Sequence, residues 1–370
     1  MNEEKTQEIS NQLDCRECGA LLKFAPGTSL LKCEYCGCEN EIKVSDEPTV
    51  VEEIDFEKFL NENDSNVEKQ EIITIKCGNC GAASTLKPNV TSDSCPFCAS
   101  PIVVTGGTVD SIIKPSYLLP FKVDQKSGFN EFKNWVKSLW FAPNDLKQYV
   151  DNADKLNGMY IPYWTYDSNT VSNYKGQRGD NYSATETYTE TVNGKSETKT
   201  RTVTKTRWTY TSGQVYNNFD DIVILASKSL PEKYTDELEP WDLENLTEYN
   251  DKYLSGFRTE SYQVDVKTGF EKSKVKMDDG IRESIRRNIG GDKQQIDSVN
   301  TVYNNITFKH ILLPIWLSAF RYNDKVYRFI INGRTGEVQG ERPYSAVKIA
   351  LAVLLVIAIG IGIYIATKAK

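Results

Sequence analysis

From about Ile112 onward the chain alternates between two hydrophobic rhythms, and these set out its elements. Phe129, Phe132, Val136 and Leu139 fall at helical spacing and predict an amphipathic helix whose apolar stripe packs on a neighbouring sheet. A second helix is expected from about Gly269 to Ile289. Its Arg282, Arg286 and Arg287 form a solvated basic face, with contact to anionic lipid as the alternative. Both helices follow the same phrase: Phe121-Lys-Val123-Asp124 before the first is echoed by Tyr262-Gln-Val264-Asp265 before the second. Each Asp is placed to cap its helix. Ile161-Pro162-Tyr163-Trp164 and Leu313-Pro314-Ile315-Trp316 match in turn, so each copy reads strand, helix, then Pro-x-Trp strand.

Inserted in the first copy, Tyr182–Val192 and Lys195–Tyr210 predict a hairpin about Asn193-Gly194, a pair that tolerates the positive φ values of a type I′ turn. That turn sets Thr189 opposite Thr198, Thr187 opposite Thr200 and Thr185 opposite Thr202. On the other face Glu186 meets Arg201 and Tyr188 meets Lys199, with Glu190 and Glu197 in mild conflict. Two polar faces imply a projection into water, either a partner contact or a passive protrusion. Phe320–Tyr322 and Val326–Ile331 predict a shorter hairpin around Asn323-Asp324. Near the end, Ala346–Ala366 carries Lys348 as its only charge. At 1.5 Å per residue it reaches about 31 Å, the thickness of a hydrocarbon core, and predicts a transmembrane helix.

Ahead of Ile112 the organising feature is cysteine. Cys15-x-x-Cys18 with Cys33-x-x-Cys36 recurs 62 residues later as Cys77-x-x-Cys80 with Cys95-x-x-Cys98, and each set has 14 residues between its pairs. Gly19-Ala20 and Gly81-Ala82 follow the first knuckle in each. Two short turns aiming four thiolates at one point suit tetrahedral zinc, so two structural Zn²⁺ ions are expected. Iron or a redox dithiol is the minor alternative. Cys38 is the ninth cysteine and a spare thiol, and the odd count with no secretory signal at the start argues against a disulfide framework. Four protein ligands close each site, leaving no position for substrate.

The expected fold is α+β: two small N-terminal zinc ribbons, a duplicated strand-helix-strand domain with a projecting β-hairpin, and one C-terminal transmembrane helix. Its parts are ribbon 1 at 13–44, an acidic linker at 45–72, ribbon 2 at 73–106, a first repeat copy at 112–230 with the hairpin 182–210 inserted, an acidic insertion at 231–257, a second copy at 258–345 and the membrane helix at 346–366. Within the linker, Asp55–Leu60 predicts a short Asp-capped helix burying Phe56, Phe59 and Leu60, as a tether or a docking peptide. Pro231–Leu254, with Trp241, reads as a surface excursion with some helix.

Charge then narrows the function. Residues 1–110 hold 9 Lys and Arg against 20 Asp and Glu, a net of −11, which leaves +4 for the rest of a chain at −7. Nucleic-acid affinity rests on cations neutralising phosphate, so protein contact is favoured for the ribbons and nucleic acid is unlikely. The lone histidine, His310, lies in a strand-like run and is expected to be structural. No Walker loop, GxGxxG after a strand or HExxH is present, and the carboxylates form no recognisable acid/base pair. The expectation is a non-enzyme. Arg334, Arg342 and Lys348 on the near side of the apolar helix narrowly outweigh Lys368 and Lys370 on the far side, which with reduced thiols places the bulk of the chain in the cytoplasm.

With these parts in order, the chain resembles a family of bacterial membrane-anchored double zinc-ribbon proteins. The resemblance is carried by the two CxxCGA knuckles, Cys33-Glu-Tyr35-Cys36, Cys95-Pro-Phe97-Cys98, Asp55–Leu60, His310–Trp316 and Asn332–Tyr344 (NGRTGEVQGERPY) before the apolar helix. Members are sometimes labelled primosomal or helicase-like, but this chain lacks every helicase motif. The resemblance implies a place beside flotillin-like (SPFH) proteins and phage-shock protein A in a membrane-stress system. It implies no catalytic residue; only the eight zinc cysteines carry over. The resulting reading is a tail-anchored adaptor that recruits protein partners, with a membrane-tethered nucleic-acid-binding protein as the alternative.

Overall fold

The structure, a computed structural model, describes residues 13–42, 51–61, 68–79, 81–85, 92–95, 97, 100–103, 108–144, 146, 156–192, 195–322 and 325–368. Of the features above, Cys80, Cys98, the Asn193-Gly194 and Asn323-Asp324 turns, Lys370 and much of the 45–72 linker lie outside the described residues.

The body is a mixed α+β assembly around one sheet. Its strands β1 (Asn157–Val192), β2 (Lys195–Leu225), β3 (Lys293–Tyr322) and β4 (Lys325–Asn332) run antiparallel in the order β2-β1-β3-β4, with β5 (Val338–Gly340) beyond β4. Three longer helices accompany them, α1 (Gln125–Ser138), α2 (Val266–Ile289) and α3 (Ala346–Lys368).

The inner part of the sheet is covered on both faces. Met159, Ile161, Tyr163, Ile311, Leu313 and Ile315 face one way and meet Leu238, Trp241 and Leu246 of the acidic insertion together with Cys77, Ala82, Cys95 and Phe97. Tyr160, Leu312 and Trp316 face the other way and meet Phe132 and Val136 of α1 with Leu22, Phe24 and Leu31. Farther along, Trp164, Tyr166 and Phe308 pack against Met277, Ile281 and Ile285 of α2. Burial of both faces explains why Met159–Tyr166 and Ile311–Leu317 are nearly unbroken apolar runs instead of alternating ones. It also alters the expected excursion at Pro231–Leu254. Its acidic composition hides apolar anchors that sit in the core, and Arg334 fastens the segment by gripping Asp242 through Nε to Oδ1 at 2.9 Å and Nη2 to Oδ2 at 2.5 Å.

The two segments that match in sequence interlock across the β1–β3 ladder. Ile161 and Leu313, which match in the repeat, stand directly opposite each other in the β1–β3 ladder. The Trp164 indole donates to the carbonyl of Val264 at 2.8 Å, and the Trp316 indole donates to that of Val123 at 2.9 Å. Those carbonyls immediately precede the caps: Asp124 accepts from the Ser127 amide and Asp265 from the Thr268 amide. Trp164 lies 5.0 Å from the Tyr262 ring at 57°, and Trp316 lies 4.9 Å from Phe121 at 56°. The cap and helix that follow Phe121 are therefore seated on the Leu313–Trp316 strand, and those that follow Tyr262 on the Ile161–Trp164 strand.

The hairpin expected over 182–210 is the outer end of strands that start in the core. Its register is the expected one, with Thr185, Thr187 and Thr189 opposite Thr202, Thr200 and Thr198. Glu190 does face Glu197, and the Lys199 ammonium relieves it at 2.6 Å from Glu190. β3 accompanies β1 only as far as Gly179, so the last 13 residues of β1 pair with β2 alone. At about 3.3 Å per residue this two-stranded part extends roughly 40 Å.

The linker helix Phe56–Asn61 forms with its Asp55 cap, since Asp55 accepts from the Lys58 amide at 2.8 Å. It docks on its own chain: Ile54–Asp55 adds an antiparallel strand to Thr307–Phe308, and Phe56 packs against Phe270 at 4.7 Å. Phe56 is buried and Phe59 half-buried, but Leu60 is exposed. A single helical turn with the strand before it fixed on β3 turns only part of its apolar set inward.

Candidate metal centre

Two tight turns, each closed by its own backbone, aim the first four cysteines inward. The Gly19 amide donates to the Cys15 carbonyl at 2.8 Å and Gly37 to Cys33 at 3.0 Å, both glycines holding positive φ near 70° (71° and 75°). The Cys15, Cys18, Cys33 and Cys36 sulfurs all lie within 4.8 Å of one another. Cys15 Sγ is 3.5 Å from Cys36 Sγ, and Cys18 Sγ is 3.5 Å from Cys33 Sγ. Tetrahedral Zn–S bonds of about 2.3 Å require sulfurs roughly 3.8 Å apart, so the set fits zinc.

The electrostatics point the same way. The Glu17 amide leads in holding the Cys15 thiol below its ordinary range, and the Cys36 amide leads in drawing Cys33 down to about 6. For Cys36 the Cys38 amide also favours the thiolate, but the Cys15 sulfur and the other thiols outweigh it and push the group up to about 12. Four thiolates this close do not coexist without a cation between them. Cys38 is half-buried behind the cluster, raised mainly by burial, and is not one of the four.

In the second set, Cys77 and Cys95 are buried in the core. The local backbone repeats that of the first: Gly81 N–H donates to Cys77 C=O at 2.8 Å, and Cys77 N–H to Ala82 C=O at 2.8 Å, as Cys15 N–H does to Ala20 C=O at 2.7 Å. Cys80 and Cys98 lie outside the described residues.

Both sets are docked against the body, not held away from it on a tether. Phe24 meets Tyr253 edge-on at 5.1 Å, its amide bonds the Ser255 carbonyl at 3.0 Å, and Gly27 N–H bonds the Phe121 carbonyl at 2.8 Å. The outer knuckle residues Cys18, Tyr35 and Cys36 are exposed.

His310 is buried among Trp164 and Tyr262, with Nδ1 2.9 Å from the Ile113 carbonyl. A carbonyl accepts only, so Nδ1 carries the proton; burial drives the ring down to about 4 and keeps it neutral. Sequence reasoning missed two other titratable groups. Lys309 is enclosed by Glu53 at 2.9 Å and Asp221 at 2.6 Å, beside Asp167, which burial and then Glu53 push up to about 7. Glu260 is fully buried beside Ser229 and Gln263. Neither cluster has a local signal, because the first joins segments 256 residues apart and the second segments 34 apart.

One helix among the described residues, Ala346–Thr367, is long and apolar enough to cross a bilayer, with a mean hydropathy of 2.9 and none of it buried. By composition it is compatible with a single-pass anchor.

The chain is similar to the uncharacterized protein YdjG of Bacillus subtilis (strain 168), at 24% identity over 239 residues covering 64% of this chain and 66% of that protein. The chain thus spans just under two thirds of that relative's length. No family model and no solved structure matches it.

Proposed function

We propose that this protein is a non-enzymatic, membrane-anchored adaptor whose zinc ribbons and long β-hairpin organise protein partners at the cytoplasmic face of the membrane. The observation that carries the reading is one chain joining a closed four-cysteine group, Cys15, Cys18, Cys33 and Cys36, to an apolar helix with none of its surface buried. Zinc with four protein sulfurs has no open position, so it stabilises fold and does no chemistry. A neutral, packed His310 leaves the chain's one imidazole without access to a substrate. A second structural zinc at Cys77, Cys80, Cys95 and Cys98 is supported by the repeated knuckle backbone at Cys77–Ala82.

Because the ribbons are docked, the outer hairpin is the larger free surface. At its base and inward along β2, Trp208, Tyr210 and Tyr216, opposite Gly179, Gln177 and Val171, point to one open face, with Tyr210 83% and Tyr216 71% exposed. Aromatic side chains on a polar, rigid strand pair are favourable anchors for a protein partner. A flotillin-like (SPFH) protein is the partner class implied by the family resemblance.

Affinity capture of the full chain from detergent-solubilised membranes tests this. The same partner should be recovered by wild type and lost with Tyr210→Ser combined with Tyr216→Ser, or with Cys77→Ser combined with Cys80→Ser. Equal recovery by wild type and both stably folded variants would falsify the adaptor reading for these surfaces.

A further inference from the structure

We propose that the loop Leu139–Asn144 is a second membrane-contact element, lying in the headgroup layer beside the root of α3 and fixing the body's orientation on the bilayer. The inference rests on reading α3 as the membrane anchor. Trp140 is 84% exposed, Phe141 44% and Tyr344 58%, a cluster of large aromatics on one edge of the body.

The fold ties this loop to the helix root across some 200 residues of sequence. The Ser345 amide donates to the Phe141 carbonyl at 2.8 Å. The Lys348 ammonium donates to the carbonyls of Ala142 at 2.7 Å and Trp140 at 3.2 Å. This accounts for the one charge in an otherwise apolar segment: Lys348 turns back onto loop carbonyls and keeps its charge out of the hydrocarbon.

The same bonds set the loop's depth. Lys348 lies three residues into the apolar segment, about 4.5 Å along the axis, so carbonyls in contact with its ammonium sit near the start of the hydrocarbon layer. Tyr344 and Tyr364 are 20 residues apart, roughly 30 Å, and place an aromatic ring at each boundary of a bilayer. Trp140 and Phe141 add to the near collar, the position such side chains prefer because one part of the ring is apolar and another wet. Lys137, exposed at the end of α1, and Arg342, over the Tyr344 ring at 5.5 Å, offer cations at phosphate level. The occupant this edge fits is therefore the lipid–water interface.

The test uses the full chain reconstituted in phosphatidylcholine vesicles, with part of the lipid brominated on acyl carbons near the headgroup. Of the six tryptophans Trp164, Trp241 and Trp316 are buried, Trp135 is half-buried and Trp208 lies at the base of the hairpin, so the shallow-bromine quenching that belongs to Trp140 is the part lost in its alanine variant. The Trp140→Ala variant should lose most of that quenching while keeping the wild-type circular dichroism, since the side chain is mostly in solvent. Alkaline carbonate extraction of the same vesicles separates the two readings. A chain that resists extraction but is quenched equally in wild type and variant sinks the loop proposal alone. Release of the chain by carbonate overturns the anchor reading, and the loop proposal with it. Trp140 shielded from both lipid bromine and aqueous iodide would mean that protein, such as a second copy, covers this edge, and would also overturn it.

Discussion

Glu260 shows what burial does to a single residue. It is 1% exposed, with the Ser229 hydroxyl and the Gln263 amide, at 2.9 Å, both donating to Oε1. Burial lifts its carboxyl to about 8, and the Ser229 and Ser227 hydroxyls, which favour the charged form, offset this only in part. At neutral pH the group is a protonated acid. Between the ordinary value of 4.5 and about 8 the folded chain holds a proton that the unfolded chain releases, so this residue's contribution to stability falls as pH rises through that window. His310 acts in the opposite sense: its depressed value favours the unfolded state progressively as pH falls from 6.5 toward about 4. Glu260→Gln, neutral at every pH, should therefore gain on wild type as pH rises, with the difference appearing in urea unfolding at about pH 5 and about pH 8.5. A difference that stays constant across that range would contradict the assignment.

At the scale of elements, the paired helices are seated on the sheet at glycines. A Cβ on Gly128 would meet Trp316 Cδ1 at 3.3 Å and Leu156 at 3.4 Å, contacts that slight repacking relieves. A Cβ on Gly269 would overlap the Tyr166 hydroxyl, which is itself fixed by donating to the Val266 carbonyl at 2.6 Å, and would press on Trp164 at 3.0 Å. Alanine gains about 1 kcal/mol over glycine in a helix. Overpacking a core costs about 1–3 kcal/mol. Gly128→Ala should accordingly be nearly neutral, whereas Gly269→Ala should lose on the order of 1–2 kcal/mol net, read as a shift in urea midpoint. Equal effects at the two sites would mean that the helices are not held at these distances.

Across the whole molecule, the metal centre and the body share a core. Leu22, Phe24 and Leu31 of the first ribbon lie in one apolar cluster with Phe121, Tyr253, Phe257 and Trp316. Losing the ion from Cys15, Cys18, Cys33 and Cys36 should loosen that face of the sheet, not merely a tethered appendage. Strong chelation should lower the thermal midpoint of the full chain by several degrees, of the order expected for about 1–2 kcal/mol in a domain of this size. Cys15→Ser should bind one zinc fewer per chain by metal analysis, while Cys38→Ser should leave the stoichiometry unchanged. Zinc loss in the Cys38 variant would reassign the ligands.

The sequence by itself determined whatever depends on neighbours in the chain. The CxxC turns, the Asp caps at Asp124 and Asp265, the hairpin register about Asn193-Gly194 and the apolar helix from Ala346 are all local: a few adjacent residues set each backbone or its periodicity. What remained for the tertiary structure were contacts between distant segments. Only the folded chain decided which capped helix sits on which Pro-x-Trp strand, because Trp164 and Val264 are joined by a bond that no local pattern encodes. It likewise seated Cys15 and Cys33 on one face of the sheet and Cys77 and Cys95 on the other, pulled the acidic insertion inward through Trp241 and Asp242, and brought Trp140 to the root of the apolar helix. Each of these outcomes is fixed by the shape and charge of a surface assembled from far-apart residues.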